Sequence, residues 1–141
     1  MKQSLNNINK VVVHCAATPP QMDIGVKEIR EWHLNRGFND IGYHMIVRRD
    51  GSVEKGRDLT TVPAANGNGN NTNTIAICYV GGMSADMKRA EDNRTPEQKK
   101  ALREIHTMLN ELLQKKLEWV GHRDLPGVNK DCPSFDVKTE L

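Results

Sequence analysis

The run Lys10-Val11-Val12-Val13-His14-Cys15 constrains this chain more than any other feature. Its β-branched residues pack best on a pleated surface, and polar Asn6 to Asn9 before it and Pro19-Pro20 after it bound the segment. It therefore reads as a buried strand, with His14 at its C-terminal end.

The segments that follow supply what such a strand packs against. Asp23 is placed to cap a helix whose apolar residues Val26, Ile29 and Trp32 recur at helical spacing, and Gly37 is placed to end it in a left-handed conformation. Ile41 to Arg49 and Ser52 to Lys55 flank Asp50-Gly51, the signature of a two-residue hairpin turn. Ala65 to Asn73 is nearly all Asn and Gly and reads as an exposed loop. Strand preference resumes over Thr74 to Val80. Thr95-Pro96-Glu97-Gln98 starts a long helix with a hydroxyl cap, a first-turn proline and a glutamine able to reach back. Leu102, Ile105, Leu109, Leu112 and Leu113 form its apolar stripe. A short strand near Leu117 to Val120 then delivers Gly121-His122. This order predicts an α/β fold, a mixed central sheet flanked by helices, with His14 and His122 both just past strand ends.

A length of 141 residues suits one domain, spanning residues 1–141. No apolar run approaches the roughly 20 residues that cross a bilayer, and MKQSLNNINK lacks the apolar stretch of a signal peptide. The expectation is synthesis in the cytoplasm and no membrane association. A formal charge of +2 and an aromatic content of 4% argue against nucleic acid as a partner. The three cysteines, Cys15, Cys78 and Cys132, are odd in number and far apart, which fits a reducing compartment.

Imidazole and thiolate are ligands that zinc prefers, and three of them leave a fourth tetrahedral position for water. His14, His122 and Cys132 can form such a set. Read from spacing alone they are equally three separate core or surface residues, since no pair makes a tight CxxC or HExxH signature.

The surrounding segments narrow that choice. Val13-His14-Cys15, Gly42-Tyr43-His44, Arg49-Asp50-Gly51, Gly56-Arg57-Asp58, Gly121-His122-Arg123-Asp124 and Lys130-Asp131-Cys132-Pro133-Ser134-Phe135 occur in one order from about Lys10 to Val137. Together they closely resemble phage lysozymes of the amidase type. These are zinc-dependent N-acetylmuramoyl-L-alanine amidases, related in fold to animal peptidoglycan recognition proteins. The resemblance implies one zinc per chain on His14, His122 and Cys132, with Tyr43 and Lys130 as the catalytic pair. It implies cleavage of the bond between N-acetylmuramic acid and L-alanine in bacterial peptidoglycan by a monomer. A phage lysin of this kind is made in the host cytoplasm without a signal peptide and reaches the wall after membrane disruption. Some phage relatives also bind a phage RNA polymerase, so the resemblance leaves that second role open. Asn66 and Arg57 are the candidate substrate-binding residues. Asn66 stands where relatives often carry a histidine entering the Asn/Gly-rich loop, and it cannot donate as a cation. Arg57 reads equally as a solvated hairpin charge or a contact to peptide carboxylates.

Cys15 and Cys78 read as small buried hydrophobes, and His33 and His106 as surface or packing residues. His44 either orients a ligand from behind or faces away by strand alternation. Two other functions compete with the amidase. One is a cysteine hydrolase using Cys15 or Cys132, and the other is a wall-recognition module that binds without cutting. A chelator separates the first: a zinc amidase loses its activity and regains it with added zinc, while a thiol hydrolase keeps it. Release of soluble fragments from purified peptidoglycan, with and without chelator, reads the difference.

Overall fold

In the computed structural model, which describes all 141 residues, Lys10–Cys15 forms strand β1 inside a five-stranded sheet. β2 (Met45–Val47) and β3 (Val53–Lys55) make the hairpin, β4 is Thr74–Tyr79 and β5 is Glu118–Gly121. The order across the sheet is β3-β2-β4-β1-β5. Only the β2–β3 pair is antiparallel; β1 runs parallel to both β4 and β5, with His14 opposite Cys78 and Val13 opposite Gly121. The mixed sheet is thus the one expected, with its parallel C-terminal edges aligned.

Strand alternation divides the interior. Val11, Val13 and Cys15 pack with Ile75, Ile77 and Tyr79 against Leu102, Ile105 and Leu109 of helix α2 (Pro96–Leu112). Across the sheet, Val12 packs with Val120 and Leu125, and Val26 and Ile29 of helix α1 (Val26–Asn35) pack with Ile41, Ile46, Cys78 and Val80. His14 belongs to this second face by alternation.

The start of α2 follows its sequence. Gln98 N donates to Thr95 Oγ1 at 3.1 Å and Thr95 N donates to Gln98 Oε1 at 3.0 Å, which satisfies two otherwise free helix-end donors. Leu102, Ile105 and Leu109 are buried and Leu113 packs partly buried against the same core, whereas Leu112 departs from the expected stripe and is 57% exposed. A short last helix, α3 (Val137–Glu140), closes the chain.

The start of α1 differs from its sequence reading. Gly25, not Asp23, is the capping position, and the helix-end donors are met by one carboxylate of the helix itself and one from the hairpin. Glu28 accepts from Gly25 N at 2.8 Å and Glu54 of β3 accepts from Val26 N at 2.9 Å. Asp23 pairs with Arg48 at 3.5 Å instead. Trp32 lies on the solvent side, and His33 takes the buried position beside it. Gly37 does end the helix, at φ 93°.

The hairpin turn is longer by one residue than the expected two. Arg48 N donates to Ser52 O, and Gly51 N folds back to Arg48 O with Gly51 at φ 85°, a conformation suited to glycine. No helix of the chain is long and apolar enough to cross a membrane.

Leu109 is fully buried where α2 meets the sheet. Leu109→Ala is expected to lower stability by about 2–5 kcal/mol, the range for a buried leucine that leaves a cavity. Urea unfolding of wild type and variant measures it.

Candidate metal centre

The C-terminal edge of the parallel strands gathers three side chains distant in sequence. His14 is the penultimate residue of β1 and is buried. His122 follows β5 directly, in a short 3-10 turn over His122–Asp124 that Asp124 steadies by accepting from Gly121 N at 2.8 Å. Cys132 is brought in by the segment after it. Tyr79 donates its hydroxyl to Pro133 O at 2.6 Å, Ser134 Oγ donates to Gly82 O at 2.9 Å, and Phe135 lies in the core under the Arg94 guanidinium, 3.4 Å from ring centre to cation. Arg94 in turn pairs with Asp92 and Glu140, at 2.8 and 2.7 Å. Its side chain is buried, so both carboxylates offset the cost of desolvating the cation.

One ligand atom from each of His14, His122 and Cys132 lies within 4.8 Å of the others. The donor set suits a metal ion by its chemistry as well as its spacing. Burial, the nearby His122 and the Lys130 charge hold His14 at a pKa of about 3, and burial with Lys130 also lowers His122. Both imidazoles are therefore neutral at pH 7 and carry a free lone pair. The neighbouring Cys15 thiol and burial push the Cys132 thiol up in the metal-free protein, so a metal must displace its proton, while Cys15 N, which donates to Cys132 Sγ at 3.2 Å, opposes that shift.

The three residues line a cleft of about 650 Å³ together with Tyr43, Lys130 and His33. The Tyr43 ring centre is 5.2 Å from that of His14, and burial raises the phenol well above its ordinary range, so its hydroxyl keeps its proton. Lys130 is exposed at the cleft and makes no salt bridge. A second hollow of about 680 Å³ lies between α2 and the β2–β3 hairpin. It contains no comparable cluster of metal-ligating side chains.

Five of the residues singled out in the sequence thus converge: His14, His122, Cys132, Tyr43 and Lys130. Arg57 does not join them. Its Nε donates to Ile41 O at 2.6 Å and its Nη1 to Val62 O at 2.8 Å, so its guanidinium braces backbone outside the cleft lining. Asn66 also differs from expectation: it is fully buried, not exposed at the loop surface, and its Oδ1 lies 2.7 Å from His14 Nε2. His44 faces away, its Nε2 on Thr61 O and its Nδ1 accepting from Ala76 N. His106 packs on Trp119. Cys15 and Cys78 are buried free thiols.

His33 is the cleft residue that sequence reasoning assigned only to surface or packing. Its Nδ1 accepts from Gly42 N at 2.8 Å, and its ring packs between those of Phe38 and Tyr43. Arg36 and Phe38 line the cleft beside it. Only the placement of α1 over the sheet brings these residues to the site, and local pattern carries no sign of it.

A mixed sheet that sets two neutral imidazoles and a thiol at the floor of a cleft defines a hydrolase-like metal centre. Residues 4–135 match the family described as N-acetylmuramoyl-L-alanine amidase. An endolysin of Klebsiella phage KP32 is 42% identical over 135 residues, covering 92% of this chain and 83% of that protein. Among solved structures, the N-acetylmuramoyl-L-alanine amidase LysC from Clostridium intestinale superposes with a TM-score of 0.78 at 25% identity, covering 99% of this chain and 86% of that one. Drosophila peptidoglycan recognition protein SD shares the fold, with a TM-score of 0.75 at 18% identity over 94% of this chain and 77% of that one. The chain belongs to the N-acetylmuramoyl-L-alanine amidase family and is a peptidoglycan hydrolase.

His14, His33, His44 and His122 are all held below the ordinary imidazole value of 6.5, each chiefly by burial. The unfolded chain takes up these protons near 6.5 and the folded chain only at lower pH, so acid favours unfolding. Metal-free protein is expected to hold its stability above about pH 7 and to lose it as the pH falls towards about 5. Each histidine contributes at most about 1.4 kcal/mol per pH unit. Urea midpoints across that window check this, and a level profile contradicts it.

Proposed function

We propose that this chain binds one zinc through His14, His122 and Cys132 and hydrolyses the amide between N-acetylmuramic acid and L-alanine with Tyr43 and Lys130 as its catalytic pair. The observation that carries the reading is the convergence of three ligand atoms within 4.8 Å on the floor of a cleft that also holds a protonated phenol and a free ammonium.

An amide resists neutral water. Zinc, when bound, supplies a Lewis acid and lowers the pKa of water to about 7. The protein groups do the rest. Lys130, unpaired at the cleft, stabilises negative charge as it develops on the scissile carbonyl oxygen. Tyr43 keeps its proton at neutral pH, so it enters as a hydrogen-bond donor that orients the attacking water or relays its proton, not as a standing base. The neutral imidazoles of His14 and His122 hold the metal without adding a proton that would repel it.

The substrate is bacterial peptidoglycan, and the chain acts as a single catalytic domain and as a monomer. Its homology to a phage endolysin supports synthesis in the cytoplasm of an infected host and action on the wall after the membrane is breached. The convergence of all three ligands with both catalytic partners favours an enzyme over a recognition module.

Metal analysis of purified protein is expected to find about one zinc per chain, lost in His14→Ala, His122→Ala and Cys132→Ala. Tyr43→Phe and Lys130→Ala should keep the zinc and the fold and lose about a hundredfold to a thousandfold in turnover, since each acts on charge or protons that develop in the transition state. Amide hydrolysis of a purified muropeptide, beside binding of an uncleavable one, separates turnover from affinity. Wild-type rates in both variants would overturn the catalytic assignment.

A further inference from the structure

The loop over residues 65–73 is built around one buried amide. Asn66 is fully buried, and its Nδ2 donates to Asn70 O at 3.0 Å and to Thr74 Oγ1 at 2.9 Å. A peptide carbonyl accepts and never donates, so the nitrogen of the amide must face Asn70. The other end, Oδ1, then faces His14 Nε2 at 2.7 Å. The loop holds this orientation from further points. Asn71 Oδ1 accepts from Asn66 N at 2.9 Å and from Ala65 N at 3.1 Å, and Thr74 Oγ1 donates to Asn71 O at 2.8 Å.

An amide oxygen can only accept. His14 must therefore donate through Nε2, which leaves Nδ1 as the nitrogen with the free lone pair. His14 is buried, so no water competes for Nε2 from the solvent side.

We propose that Asn66 is a positioning residue that fixes the tautomer and ring orientation of His14, so that Nδ1 is the atom offered to the metal. The inference rests on the metal-centre reading for its consequence and on the loop geometry alone for its cause. It gives the Asn/Gly-rich loop a role other than direct substrate contact. Its tight turns serve to bury one side-chain amide with every polar group satisfied. It also accounts for an uncharged residue at this point, because a cation aimed at a buried imidazole nitrogen would repel the metal.

The test reads the ring directly. Two-bond proton–nitrogen correlations in metal-free, nitrogen-15-labelled protein at neutral pH, with His14 assigned by comparison with His14→Ala, should report the Nε2-protonated tautomer. Asn66→Ala should give a mixture of tautomers and bind zinc about tenfold to a hundredfold more weakly in competition with a chromophoric chelator. Thr74→Val removes the other partner of the same amide while leaving Asn66 Oδ1 on His14. It should keep the wild-type tautomer and zinc affinity even where it loosens the loop. A wild-type His14 protonated at Nδ1 would overturn the proposal without any variant being needed. So would unchanged zinc affinity in a folded Asn66→Ala, or an equal loss in Thr74→Val. If wild type shows the Nε2-protonated ring and binds no zinc, the metal reading fails while the hold of Asn66 on His14 stands.

Discussion

The parallel pairing of β1 with both β4 and β5 is the constraint on which the site depends. His14 projects from β1, and its partner strand β5 ends at Gly121, level with Val13, so His122 emerges beside His14 with the ring centres 4.5 Å apart. Cys15, two residues beyond the β5 ladder, has its amide free to hold Cys132 Sγ. Gly121 is required at this junction, because a Cβ there would lie 2.7 Å from Pro133 Cδ. A slip of one residue in β1 would turn His14 into the α2 core and away from His122. Register therefore specifies the ligand set as firmly as residue identity does.

The electrostatics of the cleft follow from burial. Imidazoles shielded from water stay neutral, and a neutral pair tolerates the Lys130 ammonium at the same cleft, where protonated rings would repel it and a metal alike. The hollow of similar volume beside α2 shows that volume alone does not gather metal-ligating side chains. Met45, Leu59, Ile105 and Met108 line it, and no donor set converges there.

Where the structure departs from the local pattern, a partner distant in sequence has displaced the nearer one. Asp23 is a sound capping residue by type, yet the carboxylate of Glu54 reaches the first turn of α1 from the hairpin and Asp23 pairs with Arg48 instead. Trp32 fits a helical stripe, but α1 turns His33 inward, where Gly42 N supplies a hydrogen bond that the ring can accept. The Asn/Gly-rich loop is polar enough to read as solvated. It packs because its side chains satisfy one another, a possibility that composition cannot express.

Residue type and order by themselves determined the strands at Lys10 and Thr74, the capped helix at Pro96, and a histidine, histidine and cysteine set whose chemistry suits zinc. These are legible because periodicity, capping and ligand chemistry act over a few residues. Only the tertiary structure decided which side chains meet. It buried Asn66 against His14, left Arg57 bracing the carbonyls of Ile41 and Val62, and lodged His33 beside Tyr43. Each of these contacts depends on how loops and helices dock on a sheet whose register is set by burial across the whole chain, a sum that no local segment contains.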